Sequence, residues 1–158
     1  GTELMSPRNI EQNLDGKGLG IGVVAARFNG YITDQMTEIV VSRLQELGVA
    51  SDDIVLIRTP GAFELPLVAR RLAERGDIDA VICIGTVIRG DTDHYDHVAY
   101  AASEGIARAG DDSGKPVIFG VLTTDNTEQS VARIDHAGGY AEAAVEMANM
   151  MRQIHELS

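Results

Sequence analysis

Ala80-Val81-Ile82-Cys83-Ile84-Gly85-Thr86-Val87-Ile88-Arg89-Gly90-Asp91-Thr92-Asp93-His94-Tyr95-Asp96-His97 is the stretch from which the fold is read. Ala80 to Ile84 form an unbroken apolar run, the pattern of a strand buried on both faces. From Val98 to Ala109 apolar and small residues recur at helical spacing. Gly85 to His97 therefore reads as a strand-to-helix connection, the element that carries the ligand site in parallel α/β sheets. Gly85 and Gly90 let the backbone turn and approach a ligand, Thr92 offers a hydroxyl and an N–H, and His94 falls at the mouth of the following helix. Together they are a candidate anion site beside a proton carrier.

The same βα plan extends in both directions. Ile21 to Ala26 is a first buried strand, ended by Arg27-Phe28-Asn29-Gly30. Thr33 or Asp34 caps a helix whose Met36, Ile39, Val40, Leu44 and Leu47 share one face before Gly48 stops it. Ile54 to Ile57 is the next strand, Thr59 to Phe63 a turn, and Glu64 to Glu74 a helix with Pro66 in its first turn. Gly110-Asp111-Asp112-Ser113-Gly114 reads as a loop, Val117 to Leu122 as the fourth strand, and Asp125 with Glu128 as a capping box for a short helix through Ile134. A last helix spans Tyr140 to His155, with Ala144, Met147, Ala148, Met151 and Ile154 facing inward.

Residues 6–20 are polar apart from Ile10 and Leu14, and suit either a short edge strand that adds to a neighbouring subunit's sheet or a flexible tail. The expectation is an N-terminal arm over residues 1–20 and a single domain over residues 21–158. Its architecture is a three-layer α/β/α sandwich with a flavodoxin-like, four-stranded parallel sheet in the order 2-1-3-4. That order puts the switch point between the first and third strands. Arg27-Phe28-Asn29, Gly61-Ala62-Phe63-Glu64 and the Gly85–His94 stretch then converge at the carboxyl ends of the strands.

Thirteen basic against twenty-four acidic residues give the 158-residue chain a net charge of −11, which argues against binding to nucleic acid or anionic membrane. An anionic substrate would need local cations, of which Arg27, Arg89 and Arg133 are the prominent ones. No apolar run has the length of a membrane span and no secretory pattern opens the chain, so a cytoplasmic protein is expected. The single cysteine, Cys83, sits mid-strand as a small buried hydrophobe. Gly1 to Leu4, before Met5, are set aside as extraneous to the fold.

Several residues have both a chemical and a plainer reading. Phe28 offers an aromatic plane for a flat heterocycle, or covers the sheet end. Glu64 offers a carboxylate to a ligand, or complements a helix dipole. Asp91 and Thr92 bind phosphate through N–H groups near a helix start, or form an ordinary cap. His94 brings an imidazole, the side chain suited to shuttling protons, or is a surface residue. Asp91, Asp93, His94, Asp96 and His97 could gather round a divalent metal, but neighbours on one helical turn cannot all face one ion.

Four segments in order, Ala25-Ala26-Arg27-Phe28-Asn29, Pro60 to Pro66, Gly85 to His94, and Phe119-Gly120-Val121-Leu122-Thr123-Thr124, resemble the motifs of lumazine synthase, the penultimate enzyme of riboflavin biosynthesis. The resemblance runs from about Ile10 to near the end. It implies condensation of 5-amino-6-ribitylamino-uracil with 3,4-dihydroxy-2-butanone 4-phosphate to 6,7-dimethyl-8-ribityllumazine, with no metal or organic cofactor. It further implies that Phe28 stacks on the pyrimidine with Asn29 beside it, that Ala62 and Phe63 contact substrate through the backbone, and that Glu64 accepts from ribityl hydroxyls. The backbone of Gly85, Thr86, Val87 and Ile88 would meet the heterocycle, Asp91 and Thr92 the phosphate, and His94 would transfer protons. Arg133, in the pattern Glu128-Gln129-Ser130-Val131-Ala132-Arg133, would bind phosphate, and Phe119 would close over the pyrimidine, both from a neighbouring subunit. The implied assembly is a homo-oligomer, a pentamer or a set of pentamers up to an icosahedral capsid, with riboflavin synthase a possible partner.

Two departures from the family pattern stand out. His97 replaces a tyrosine, and the segment Ile134 to Tyr140 is short and lacks the family's lysines. The altered segment after Arg133, together with the acidic Asp91, motivates an alternative, a shell-forming or flavin-binding scaffold of the same fold with weak or no catalysis.

Overall fold

Apolar runs that are buried on both faces pair edge to edge, and here four of them build one sheet. The computed structural model describes residues 6–157, so Gly1 to Leu4 lie outside it. The strands are β1 (Ile21–Ala26), β2 (Ile54–Thr59), β3 (Ala80–Ile88) and β4 (Val117–Thr124). They are all parallel, in the order β2-β1-β3-β4. Parallel neighbours require crossovers. These are α1 (Gly30–Glu46), α2 (Leu65–Ala73) and α3 (Tyr95–Ser113), followed after β4 by α4 (Thr127–Ala132) and α5 (Gly138–His155). The result is the expected three-layer, flavodoxin-like arrangement.

The alternation of β3 explains the two cores. Ile82, Ile84 and Ile88 pack with Met36, Val40 and Leu44 of α1 and with Ala141, Ala144 and Ala148 of α5. Val81, Cys83 and Val87 face the other way, against Leu65, Ala69 and Leu72 of α2 and Ile106 of α3. Asn149 of α5 donates to the carbonyls of Asn13 and Asp15 at 2.9 Å each, which lays the segment before β1 along that helix. Residues 6–20 form no strand within the chain, and Leu19 is fully buried.

Boundaries differ from the sequence reading where backbone geometry outweighs side-chain pattern. β3 runs four residues beyond Ile84, because its ladder with β4 continues from Gly85↔Val121 to Ile88↔Thr124. Gly85 is thus a strand residue: a Cβ there would lie 3.3 Å from Leu65 Cδ1, so its small size admits α2. Gly90, at φ +100°, makes the turn. β2 and β4 also extend two residues past their apolar runs.

Helix ends shift for similar reasons. α1 is capped by Asn29 in the left-handed region (φ 60°), while Thr33 sits inside the helix and donates its hydroxyl to Ala26 O at 2.8 Å. The α4 cap is Asn126, whose side chain accepts from Gln129 N at 2.9 Å, and Gln129 Oε1 in turn accepts from Asp125 N at 2.8 Å. Gly110 to Ser113 complete α3, which ends at Gly114 with φ 70°. On α5, Met151 and Ile154 are 40% and 47% exposed; Ala141, Val145 and Asn149 take the inner face instead. Among the described residues no helix is long and apolar enough to cross a membrane.

Burial pushes the Cys83 thiol up to about 12. The native protein should resist thiol reagents at pH 8, and labelling should begin only on unfolding; rapid labelling of the native state would contradict this burial. Above about pH 8.5 the unfolded thiol ionises while the folded one does not, so this group lowers stability progressively as pH rises toward 12.

Candidate active site

The parallel register brings the carboxyl ends of β1, β2 and β3 to one edge, and backbone hydrogen bonds fasten their loops together. Arg27 N donates to Thr59 O at 2.8 Å and Phe28 N to Pro60 O at 3.0 Å, joining the first loop to the second. On its other side, the Asn29 amide donates to Thr86 O at 3.4 Å and to Asp91 Oδ2 at 3.3 Å. Between the loops lies a cleft of about 140 Å³. Its walls are Phe28, Gly61, Ala62 and Phe63 from the first two loops, Thr86, Val87 and Ile88 from β3, Asp91 and Thr92 from the third loop, and Val98 from α3. A wider depression of about 560 Å³ lies at the amino ends of β3 and β4. There Arg152 is paired with Asp79, which also accepts from Gly20 N, so the polar groups of that depression hold the chain together.

Phe28 and Phe63 remain 57% and 59% exposed beside the cleft, unusual for aromatics and suited to a flat partner. Glu64 turns its carboxylate back, Oε1 accepting from Gly61 N at 2.9 Å, and so braces the second loop rather than lining the cleft. Gly85 is likewise absent from the lining.

In the third loop, Asp91 N–H is occupied by Ile88 O at 3.2 Å, across the turn that Gly90 makes. Thr92 Oγ1 accepts from His94 N at 3.2 Å. With its oxygen accepting, the Thr92 hydroxyl keeps its proton for an incoming anion. His94 stands at the N-cap of α3, exposed, and His97 lies one turn further with ring centroids 6.4 Å apart. Among the described residues no group of three or more His, Cys, Asp or Glu is placed to hold a metal ion.

The model of the 6,7-dimethyl-8-ribityllumazine synthase family matches residues 18–152, which include every element that forms this cleft. A protein of Desulfosudis oleivorans named 6,7-dimethyl-8-ribityllumazine synthase is 43% identical over 153 residues, spanning 94% of this chain and 98% of its own length. The chain belongs to the 6,7-dimethyl-8-ribityllumazine synthase family.

Within this lumazine synthase fold, two of the residues singled out in the sequence stand away from the cleft. Phe119 is on β4 opposite Cys83, 42% exposed. Arg133 follows α4, exposed, near Tyr140; burial pushes the Tyr140 phenol up and the Arg133 charge opposes that shift. Arg89 is committed elsewhere, to Asp125 at 3.2 Å and Asp96 at 3.7 Å, with its guanidinium 4.3 Å from the Tyr95 ring centroid.

Sequence reasoning missed Val98, a wall of the cleft whose helical spacing marked it only as core. It also missed Ser130 and Thr124, whose hydroxyls meet that of Thr86 beneath β3 and β4. Their only signal was a pair of polar residues at positions that prove fully or nearly buried.

Asn29 combines a left-handed backbone with both amide hydrogen bonds. Asn29→Ala should lower stability by about 1–2 kcal/mol more than Asn29→Gly, since glycine adopts φ 60° without the Cβ penalty. Urea unfolding of the two variants tests this, and equal losses would contradict the strain argument.

Proposed function

We propose that this cleft is where 5-amino-6-ribitylamino-uracil and 3,4-dihydroxy-2-butanone 4-phosphate condense to 6,7-dimethyl-8-ribityllumazine, the reaction of riboflavin biosynthesis that family membership implies. The observation that carries the reading is the joining of an exposed aromatic, Phe28, to a hydroxyl with a free proton, Thr92, within one cleft next to His94. The amine of the uracil forms an imine with the ketone, phosphate leaves, and ring closure releases water. Positioning two reactants accounts for much of such an acceleration, up to about 7–11 kcal/mol in well-oriented cases.

The family pattern, laid onto this cleft, suggests the roles. Phe28 stacks on the heterocycle, with Asn29 setting the first loop, and Phe63 contacts substrate through its backbone. The backbone of Ala62 and of Thr86 to Ile88, which line the cleft, contacts the uracil edge. Glu64 accepts from ribityl hydroxyls with the oxygen that Gly61 does not use. Asp91 and Thr92 form the phosphate loop, in which the Thr92 hydroxyl donates to phosphate, and His94 moves the protons of imine formation and ring closure.

A second subunit completes the site. The 140 Å³ cleft is under half of the roughly 300 Å³ at which small-molecule pockets begin, and these substrates include a ribityl chain and a phosphate. Phe119 and Arg133 stand outside it, available to a neighbour's cleft. The assembly is a homo-oligomer of pentameric type, alone or built into a capsid, in which the arm over residues 1–20 adds to a neighbour's sheet. The setting is the cytoplasm, where riboflavin synthase consumes the product.

Lumazine fluorescence against the uncatalysed background tests the whole reading; no acceleration from a folded, assembled sample would overturn it. His94→Ala should lower kcat by about 10²-fold with both KM values largely kept, the scale of a lost general acid–base group. An unchanged kcat would remove His94 from proton transfer. Arg133→Ala should raise the KM of the phosphate substrate at least about tenfold, as the loss of a charged hydrogen bond does, while sparing that of the uracil. Equal effects on both substrates would argue against a phosphate contact.

A further inference from the structure

Three buried hydroxyls meet beside the cleft. Thr86 Oγ1 lies 2.8 Å from Ser130 Oγ, and Thr124 Oγ1 lies 2.7 Å from the same oxygen. All three residues are at most 3% exposed. Each hydroxyl has one proton, and this decides the direction of the chain. Thr124 Oγ1 donates to Asn126 O at 3.0 Å, so it accepts from Ser130; Ser130, having donated, accepts from Thr86. Every donor is then used, and a satisfied buried network of this kind holds its members in one arrangement.

Ser130 is the one buried residue of α4. A helix of six residues has no stability of its own. The Asn126 cap and the Asp125 N–Gln129 Oε1 bond tie α4 to the end of β4, and the Ser130 hydroxyl is the buried link that reaches β3. The carbonyl of the same residue accepts from Arg133 N at 3.0 Å. A path from β3 to Arg133 thus runs through Ser130, by one side-chain link and one backbone link.

We propose that Ser130 is a positioning residue: its hydroxyl bolts α4 to Thr86 of β3 and so sets where Arg133 presents its guanidinium to the phosphate-bearing substrate. The inference rests on the reading of Arg133 as the phosphate contact. It adds that the wall of one subunit's cleft and the arginine that serves the next are fastened by the same hydroxyl.

The test compares Ser130→Ala, Thr86→Val/Ser130→Ala and Arg133→Ala by steady-state kinetics with both substrates, alongside Tm. Ser130→Ala leaves the Thr86 hydroxyl without its acceptor, so Tm should fall by several degrees. The KM of the phosphate substrate should rise about fivefold, the scale of one net hydrogen bond, while that of the uracil stays within error. Removing both hydroxyls relieves the orphaned donor and should restore Tm, because apolar groups of the same shape replace a polar pair at little cost. The raised phosphate KM should nevertheless persist, since the bolt is still missing. If it recovers together with Tm, Ser130 matters only for stability and the inference is overturned. If Arg133→Ala raises the phosphate KM and Ser130→Ala does not, Ser130 has no positioning role while the Arg133 reading stands. If Arg133→Ala itself leaves that KM unchanged, the Arg133 reading fails and takes this inference with it.

Discussion

The burial of β3 on both faces and its pairing along both edges is the constraint from which the rest follows. All nine of its residues are buried, with β1 on one side and β4 on the other. A strand enclosed in this way can offer chemistry only at its end. Its carboxyl end is where Gly90 turns the chain, where Asn29 reaches across to Thr86 O, and where the helix carrying His94 begins. Enclosure also obliges the one polar side chain of the strand, Thr86, to find a partner, and Ser130 supplies it.

Charge then limits how the site can work. The chain has a net charge of −11, and one of its cations near the third loop, Arg89, is spent on Asp96, Asp125 and the Tyr95 ring. These pairs are exposed, and such pairs contribute only about 0–1 kcal/mol each. Their consequence is local: they neutralise two carboxylates, those of Asp96 and Asp125. On the reading proposed above, anion recognition falls to hydrogen-bond donors such as the Thr92 hydroxyl and to a cation from a neighbouring subunit. A cleft this small, flanked by exposed aromatics, fits a protein whose working unit is larger than one chain.

The strands and their order were legible because burial on two faces leaves an unmistakable apolar run, and right-handed crossovers allow few ways to connect four of them. The loops around Phe28, Ala62 and Thr92 were legible as a converging set for the same reason. Where the reading slipped, backbone geometry was responsible. Gly85 looked like a turn but admits Leu65 against the strand. Thr33 looked like a cap but bonds backward to β1, because Asn29 adopts a left-handed conformation and starts the helix earlier. Met151 and Ile154 looked inward by spacing, but they stand 40% and 47% exposed.

By itself the sequence determined the class of fold, the order of the sheet, the family and the loops that meet at the cleft, since each follows from local pattern or from motifs contiguous in the chain. Only the tertiary structure decided that Glu64 braces its own loop, that the Asp91 N–H is already bonded, and that Thr86, Thr124 and Ser130 share one proton-ordered chain. The reason is physical: which partner a polar group takes depends on distances of a few tenths of an ångström between residues far apart in sequence, and those distances exist only once the sheet has closed around β3.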